Sequence, residues 1–329
     1  MRNFYIFLTS FLFVTQTAYA SVCVGSNCEL IDLFARNSGT SLKSILSEID
    51  KNIIDPVIDS QKMIASWEGG MLHFTPRGSE STVKILLWGG GTWRQVTMDG
   101  TLLGSRVQFD YYTGNASLSL GAELPLGKST DLILNGSFWS GPSDYGLGVS
   151  GGDMNETSVR GSVGIRQTFF QFGSAKFFGI SGISVGQRSA DMTLGGSTIR
   201  VRLQKETISW SGEEKYYEKN SYLSIPTLVG ISYATPWITF SAAGGTIVIF
   251  QSGKIELSKW GPLGPYGGYY GIGIKEVSSI NDSTILPVLN FGAECNLGNP
   301  VIAINFRPSL NSMPFGGFFG LGWKFLLSR

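Results

Sequence analysis

The chain has 329 residues, 44 of them glycine, with 12% aromatic and only 15% charged residues and a formal charge of +1. So little charge departs from an ordinary soluble domain, and the near-zero balance leaves no electrostatic footprint for nucleic acid. Length alone fits one large domain or two small ones.

The one continuous apolar run is at the start, where Arg2 precedes residues 4–14 and the small-residue pattern Ala18-Tyr19-Ala20 follows. This reads as a secretory signal over residues 1–20, cleaved after Ala20. A helix crossing a membrane needs roughly 20 consecutive apolar residues, and nothing after Ala20 approaches that. A membrane protein with this sequence has to cross as a β-barrel. A soluble secreted β-sandwich would also alternate, but it seldom carries so little surface charge.

Residues 21–66 follow a helical period. Leu42, Ile45, Leu46, Ile49, Ile53 and Val57 share one face, with Lys43, Ser47, Asp50 and Lys51 opposite. Thr40 and Ser41 are N-cap candidates and Pro56 should kink or end the helix. The segment is an amphipathic helix that plugs a barrel, lies at its periplasmic face or pairs with a partner helix. Cys23 and Cys28 are placed to form a local disulfide in an oxidising compartment, leaving Cys295 free. Val22 before Cys23 is too large for a lipidation site.

From residue 67 to 329 the period is two, as expected of strands. Leu103, Ser105, Val107, Phe109 and Tyr111 alternate with Gly104, Arg106, Gln108 and Asp110. Parity then reverses over Ala116, Leu118, Leu120, Ala122 and Leu124, and Tyr112-Thr113-Gly114-Asn115 between the two runs predicts a hairpin turn. Val159 to Ile165 and Leu223 to Tyr233 repeat the pattern. In the last strand, residues 315–327, Phe315, Phe319, Leu321, Trp323, Phe325 and Leu327 oppose Gly316, Gly320, Gly322 and Lys324, with Phe318 and Leu326 out of pattern. Further strands are expected near residues 69–76, 82–93, 130–140, 176–190, 237–250, 284–295 and 300–307. The reading is all-β, an antiparallel transmembrane barrel of about twelve strands, within a range of ten to fourteen.

Connection lengths alternate in support. Residues 127–129, 173–175, 234–236 and 296–299 are tight, whereas 140–156, 191–220 and 251–283 are long and read as solvated loops, the second with a hairpin of its own. In an outer membrane the C-terminus and tight turns would face the periplasm and the long loops the exterior.

Gly322, Phe325 and Leu327 resemble the C-terminal assembly signal of bacterial outer-membrane β-barrel proteins, departing from it in the tail Ser328-Arg329. That resemblance implies outer-membrane lipid and the barrel-assembly machinery as partners. Lys176-Phe177-Phe178, Ile225-Pro226 and Val229-Gly230-Ile231 are similar to segments of leptospiral porin-like outer-membrane proteins, which implies a passive pore at the cell surface that engages host molecules.

Chemistry beyond passage of solutes has few carriers. The single histidine, His73, would have to serve any His-based hydrolysis with Ser79, Ser81 or Asp99. Metal-ligand and phosphate-loop spacings are absent, so the reading is a non-enzyme without cofactor or metal. Trp93, Tyr111, Tyr112, Trp139, Phe169, Tyr233, Trp237 and Trp323 lie toward strand ends as interfacial girdles would. Lys84, Arg106, Arg160, Arg166, Arg188, Arg307 and Lys324 are assigned to the lumen against Asp110, Glu123 and Glu294. That basic excess either favours anions through a water-filled pore or belongs to a salt-bridged filling. The leading functional expectation is a porin-like channel for small polar solutes, alone or as a homo-oligomer. Its rivals are a hatch-gated transporter of hydrophobic compounds and a surface adhesin.

Overall fold

The computed structural model describes residues 22–24, 28–37, 39, 41–49, 51, 55–56, 59–60, 63–64, 67, 72–76, 82–102, 105–147, 150–203, 206–265, 270–310 and 314–326. Alternating sequence becomes a ladder of ten antiparallel strands: β2 Thr82–Leu102, β3 Ser105–Pro125, β4 Thr130–Leu147, β5 Ser150–Phe172, β6 Ala175–Leu203, β7 Glu206–Ala234, β8 Ile238–Pro265, β9 Tyr270–Asn296, β10 Pro300–Arg307 and β11 Phe315–Leu326. Each pairs with its successor, and β11 returns to β2 from Phe315↔Trp93 to Leu326↔Thr82. The sheet is a closed barrel, which removes the edge that an open sheet would leave.

Among the described residues the barrel wall has ten strands rather than about twelve, and two particular readings account for the difference. Residues 72–76, expected as part of a first strand, form an irregular stretch buried inside the barrel. The hairpin expected at residues 112–115 is absent, because β2 and β3 pair without a break from Lys84↔Glu123 to Leu102↔Ser105. The β3–β4 register shifts at the same place, between Thr113 and Leu118, as at a bulge.

The four tight connections are turns at one end of the barrel, where β2 begins and β11 ends. Gly173 (φ 56) and Gly298 (φ 83) supply their left-handed residues. The three long stretches are not irregular loops. β4 and β5 pair on to Leu147↔Ser150, β6 and β7 to Leu203↔Glu206, and β8 and β9 to Leu263↔Tyr270. A neighbouring strand satisfies backbone N–H and C=O groups that would otherwise need water, so pairing continues through Gly, Ser and Lys.

The wall is uneven in height. β6 and β7 have 29 residues each and β10 only 8. A membrane crossing takes about 9–11, so the long hairpins exceed a bilayer's thickness by far while β10 falls just short of it. Above the reach of β10, the short strand β1 (Val22–Val24) pairs with Gly273–Lys275 of β9.

The helical expectation for residues 21–66 resolves into α1 (Cys28–Asn37) and α2 (Leu42–Ile49). Gly39 (φ 77) separates them and its N–H donates to the carbonyl of Arg36 at 3.0 Å. Ser41 is the N-cap of α2, its Oγ accepting from the N–H of Ser44 at 3.1 Å. Asp55, Pro56, Asp59, Ser60, Met63, Ile64 and Trp67 continue in helical conformation, and Ser60, Ile64 and Trp67 on one face of that stretch are fully buried. The chain then passes through Leu72–Pro76 and enters β2 at Thr82. Since β1 lies at the tall end and Thr82 at the turn end, this segment runs down the lumen, beyond the boundary expected at residue 66. Residues 1–20 lie outside the described part.

Candidate functional site: the occupied lumen

Strand parity positions every side chain in the site. On β3, Leu118 and Leu120 are 50% and 61% exposed while Ser117, Ser119 and Glu123 are buried. Ile85, Val163, Ile183, Ile231 and Phe319 likewise face outward, a band for lipid tails. The inward face holds an apolar core contributed by both wall and segment: Trp67, Leu72 and Phe74 pack with Trp88, Ile133, Phe178, Ile180, Leu228 and Ile247, among others. Each large side chain buried this way contributes ~1.5–3 kcal/mol.

Small wall residues make room for the segment. A Cβ on Gly164 of β5 would come within 2.8 Å of Leu72 Cδ1, and one on Gly182 of β6 would do the same. These two glycines form the seat of Leu72, and the glycine-rich inward face read from the sequence is in part a mould for the segment.

Polar contacts hold the segment from around the ring. Asn305 Nδ2 of β10 donates to the carbonyl of Phe74 at 2.8 Å, Arg307 Nη2 to that of Leu72 at 2.9 Å, and Asn135 Nδ2 of β4 to that of His73 at 3.1 Å. Glu123 of β3 accepts from both the N–H and Oγ1 of Thr75, and Arg166 of β5 donates to the Thr75 carbonyl. Lys84 of β2 donates to Thr75 Oγ1 at 2.7 Å. Higher up, Arg94 Nη1 donates to Ser60 Oγ at 2.8 Å. Irregular backbone at membrane depth is tolerable only when satisfied in this way.

The lumen cations assigned from sequence are mostly held in ion pairs. Arg166 pairs with Glu123 at 3.0 Å and Asp131 at 2.9 Å, Glu294 bridges Lys84 at 2.6 Å and Lys324 at 2.7 Å, and Arg188 joins Glu156 at 3.0 Å to Glu218 at 3.1 Å. Of the two readings left open, the structure takes the salt-bridged filling for these four residues. Arg160 and Arg307 are also buried in the lumen. Arg106 lies in β3, but its side chain is outside the described part.

Of the expected girdle residues, Phe169, Tyr233, Trp237 and Trp323 are exposed on the outer face toward the turn end, and Trp93 stacks on Phe315 with centroids 6.5 Å apart. Eight residues separate Phe315 from Trp323; at ~3.3 Å per residue and a tilt near 40° that is ~20 Å along the barrel axis. Trp139 is a correction: it shares the parity of buried Asp131, Ile133 and Asn135, and its indole nitrogen is buried, so it faces inward. The side chains of Tyr111 and Tyr112 lie outside the described part. Gly322 and Phe325 sit in β11 with Phe325 outward, while Leu327 falls outside the described residues. Cys28 is disulfide-bonded and Cys295 is a free thiol; Cys23 lies in β1, its side chain undescribed. His73 is in the lumen, its ring against Trp88 and Phe318 with centroid distances of 5.6 and 4.5 Å. Ser79, Ser81 and the side chain of Asp99 are outside the described part.

Sequence reasoning missed Asp131, Asn135, Glu156, Glu218, Asn290 and Asn305 as lumen residues. Their inward parity was available as a signal. For Trp67, Phe74 and Thr75 no periodic signal existed, since irregular backbone has none.

No protein-family model and no curated protein matches the chain. Solved structures similar to it include the translocator domain of autotransporter NalP from Neisseria meningitidis, at 13% identity over 84% of this chain and 98% of that one, TM-score 0.38. Others are the outer membrane protease OmpT from Escherichia coli (12%, 77% and 97%, 0.41) and the outer membrane protein OprG from Pseudomonas aeruginosa (12%, 76% and 99%, 0.29). The likeness is one of architecture. With its closed ring, apolar exterior and polar, occupied interior, the chain has the fold of a bacterial outer-membrane β-barrel.

Proposed function

We propose that the protein is an outer-membrane channel for small solutes whose lumen is gated by its own N-terminal segment. The observation that carries this reading is the seating of Leu72–Pro76: side chains from β2, β3, β4, β5 and β10 converge on one irregular stretch of chain. Contacts of that kind are polar and separable, unlike a covalent closure. They support a hatch over a permanently open pore. The pairing of Lys84, Arg166, Arg188 and Lys324 with carboxylates removes most of the positive field on which anion preference would rest, so selectivity falls to the size and polarity of the path that the hatch vacates.

Planar-bilayer recording tests this. The native chain should show rare or no unitary conductance, and Gly164→Leu, which fills the seat of Leu72 while leaving the outer wall intact, should raise open probability at least tenfold. A barrel lacking residues 28–76 should conduct continuously. If both variants insert and stay silent, the gating reading is wrong.

A second reading has support in the tall hairpins of β6 to β9, which extend far beyond a bilayer's thickness: the barrel anchors a surface sheet that meets host molecules. Binding to host matrix proteins that is lost when the tips near residues 203–206 and 265–270 are trimmed would favour it.

A further inference from the structure

The charged groups of the lumen are not all balanced alike. Arg166, Lys84, Lys324 and Arg188 each meet a carboxylate within 3.1 Å. Arg307, 2% exposed, does not: its Nε donates to Asn290 Oδ1 at 3.0 Å and its Nη2 to the carbonyl of Leu72 at 2.9 Å, both neutral acceptors. Its Nη1 is buried without any acceptor among the described residues. Leaving a buried guanidinium N–H without an acceptor is costly.

A second orphan donor belongs to the residue that follows Leu72. His73, 1% exposed, follows Leu72 directly in the chain. Arg160 Nη2 stands 3.3 Å from His73 Nε2. A guanidinium can only donate, so Nε2 is the acceptor and the ring proton sits on Nδ1, which has no partner among the described residues. Arg160 thus meets the His73 ring itself, and Arg307 the carbonyl of the residue before it. Trp88 and Phe318 wall the histidine ring on either side. The cluster therefore brings two guanidiniums to one residue pair, and among the described residues Arg307 Nη1 and His73 Nδ1 are buried without acceptors and Arg307 meets no carboxylate.

We propose that this cluster is a binding site for one compact anion, a halide or a small oxyanion, held by Arg307 Nη1 and His73 Nδ1 in the field of both guanidiniums. Such a ligand supplies acceptors only, which is what the two orphan donors require. Because Arg307 also grips the carbonyl of Leu72, occupancy fastens the luminal segment to β10. The inference goes beyond gating and stands whether or not the segment moves.

The test uses the full chain refolded in detergent, with bromide, phosphate and formate each titrated against gluconate at constant ionic strength. The unfolding midpoint should rise by a few degrees and saturate, and Arg307→Met should abolish the saturable part. A response to bromide alone assigns a halide site; a matching response to phosphate or formate assigns an oxyanion site. Midpoints identical in all four salts, or an unchanged saturable response in Arg307→Met, overturn the proposal. Should that variant fail to fold, crystals of the native chain grown in bromide and in phosphate decide: density for one of the two anions between Arg307 and His73 is expected, and an empty position there in both refutes the site.

Discussion

The outer and inner faces of the same strands obey different rules. Outside, Leu118, Leu120, Val163, Ile183 and Phe319 are large, apolar and exposed, a surface for lipid tails, which conform to whatever shape is offered. Inside, Glu123 contacts Thr75 and Arg166, Glu294 contacts Lys84 and Lys324, and Gly164 leaves room for one methyl group of Leu72. This lumen is filled in part by protein, and protein does not flow around a change. The outer face should tolerate exchange within its chemical class, and the inner face should not.

Four substitutions test that contrast, each read by denaturant unfolding in lipid vesicles. Glu123→Ala should be most severe, at ~3–5 kcal/mol, since it leaves a buried Arg166 without one of its two carboxylates and the Thr75 N–H without an acceptor. A loss under about 1 kcal/mol would show that the network is not holding the segment. Leu120→Arg, on the outer face at mid-strand, should cost ~2–4 kcal/mol because a charge must meet hydrocarbon; a neutral result would argue that β3 does not face lipid. Gly173→Ala should cost about 1 kcal/mol through its left-handed φ alone, independent of either face. Ile231→Leu, an apolar exchange on the outer face, should stay within ~0.5 kcal/mol, and a larger loss would mean that this face packs against something more exacting than lipid.

Much of the wall was legible because its signal is local. The tight turns, the parity of β11 and the outward placement of Phe169, Tyr233 and Trp237 follow from a period of two and from turn chemistry, each contained within a few residues. Phe318 shows where locality fails. It interrupts the inward glycines of β11, and its reason is the ring of His73, 4.5 Å away and 245 positions earlier in the chain. Trp139 fails differently: aromatic placement near a strand end suggested a girdle, whereas the parity it shares with Asp131 and Asn135 places it inside. The turn expected at residues 112–115 had the right composition for a hairpin, but the unbroken β2–β3 ladder left no place for one.

By itself the sequence determined that the chain crosses a membrane with strands, which residues face lipid, and where the short connections lie, because side-chain alternation is a property of each strand alone. Only the tertiary structure decided what the barrel contains. Whether Lys84 faces water or Glu294, 210 positions away, and whether residues 72–76 form a strand of the wall or thread its lumen, depend on which distant groups meet. A pairwise match of charge, volume and hydrogen bonds across the ring leaves no periodic trace in the chain that supplies it.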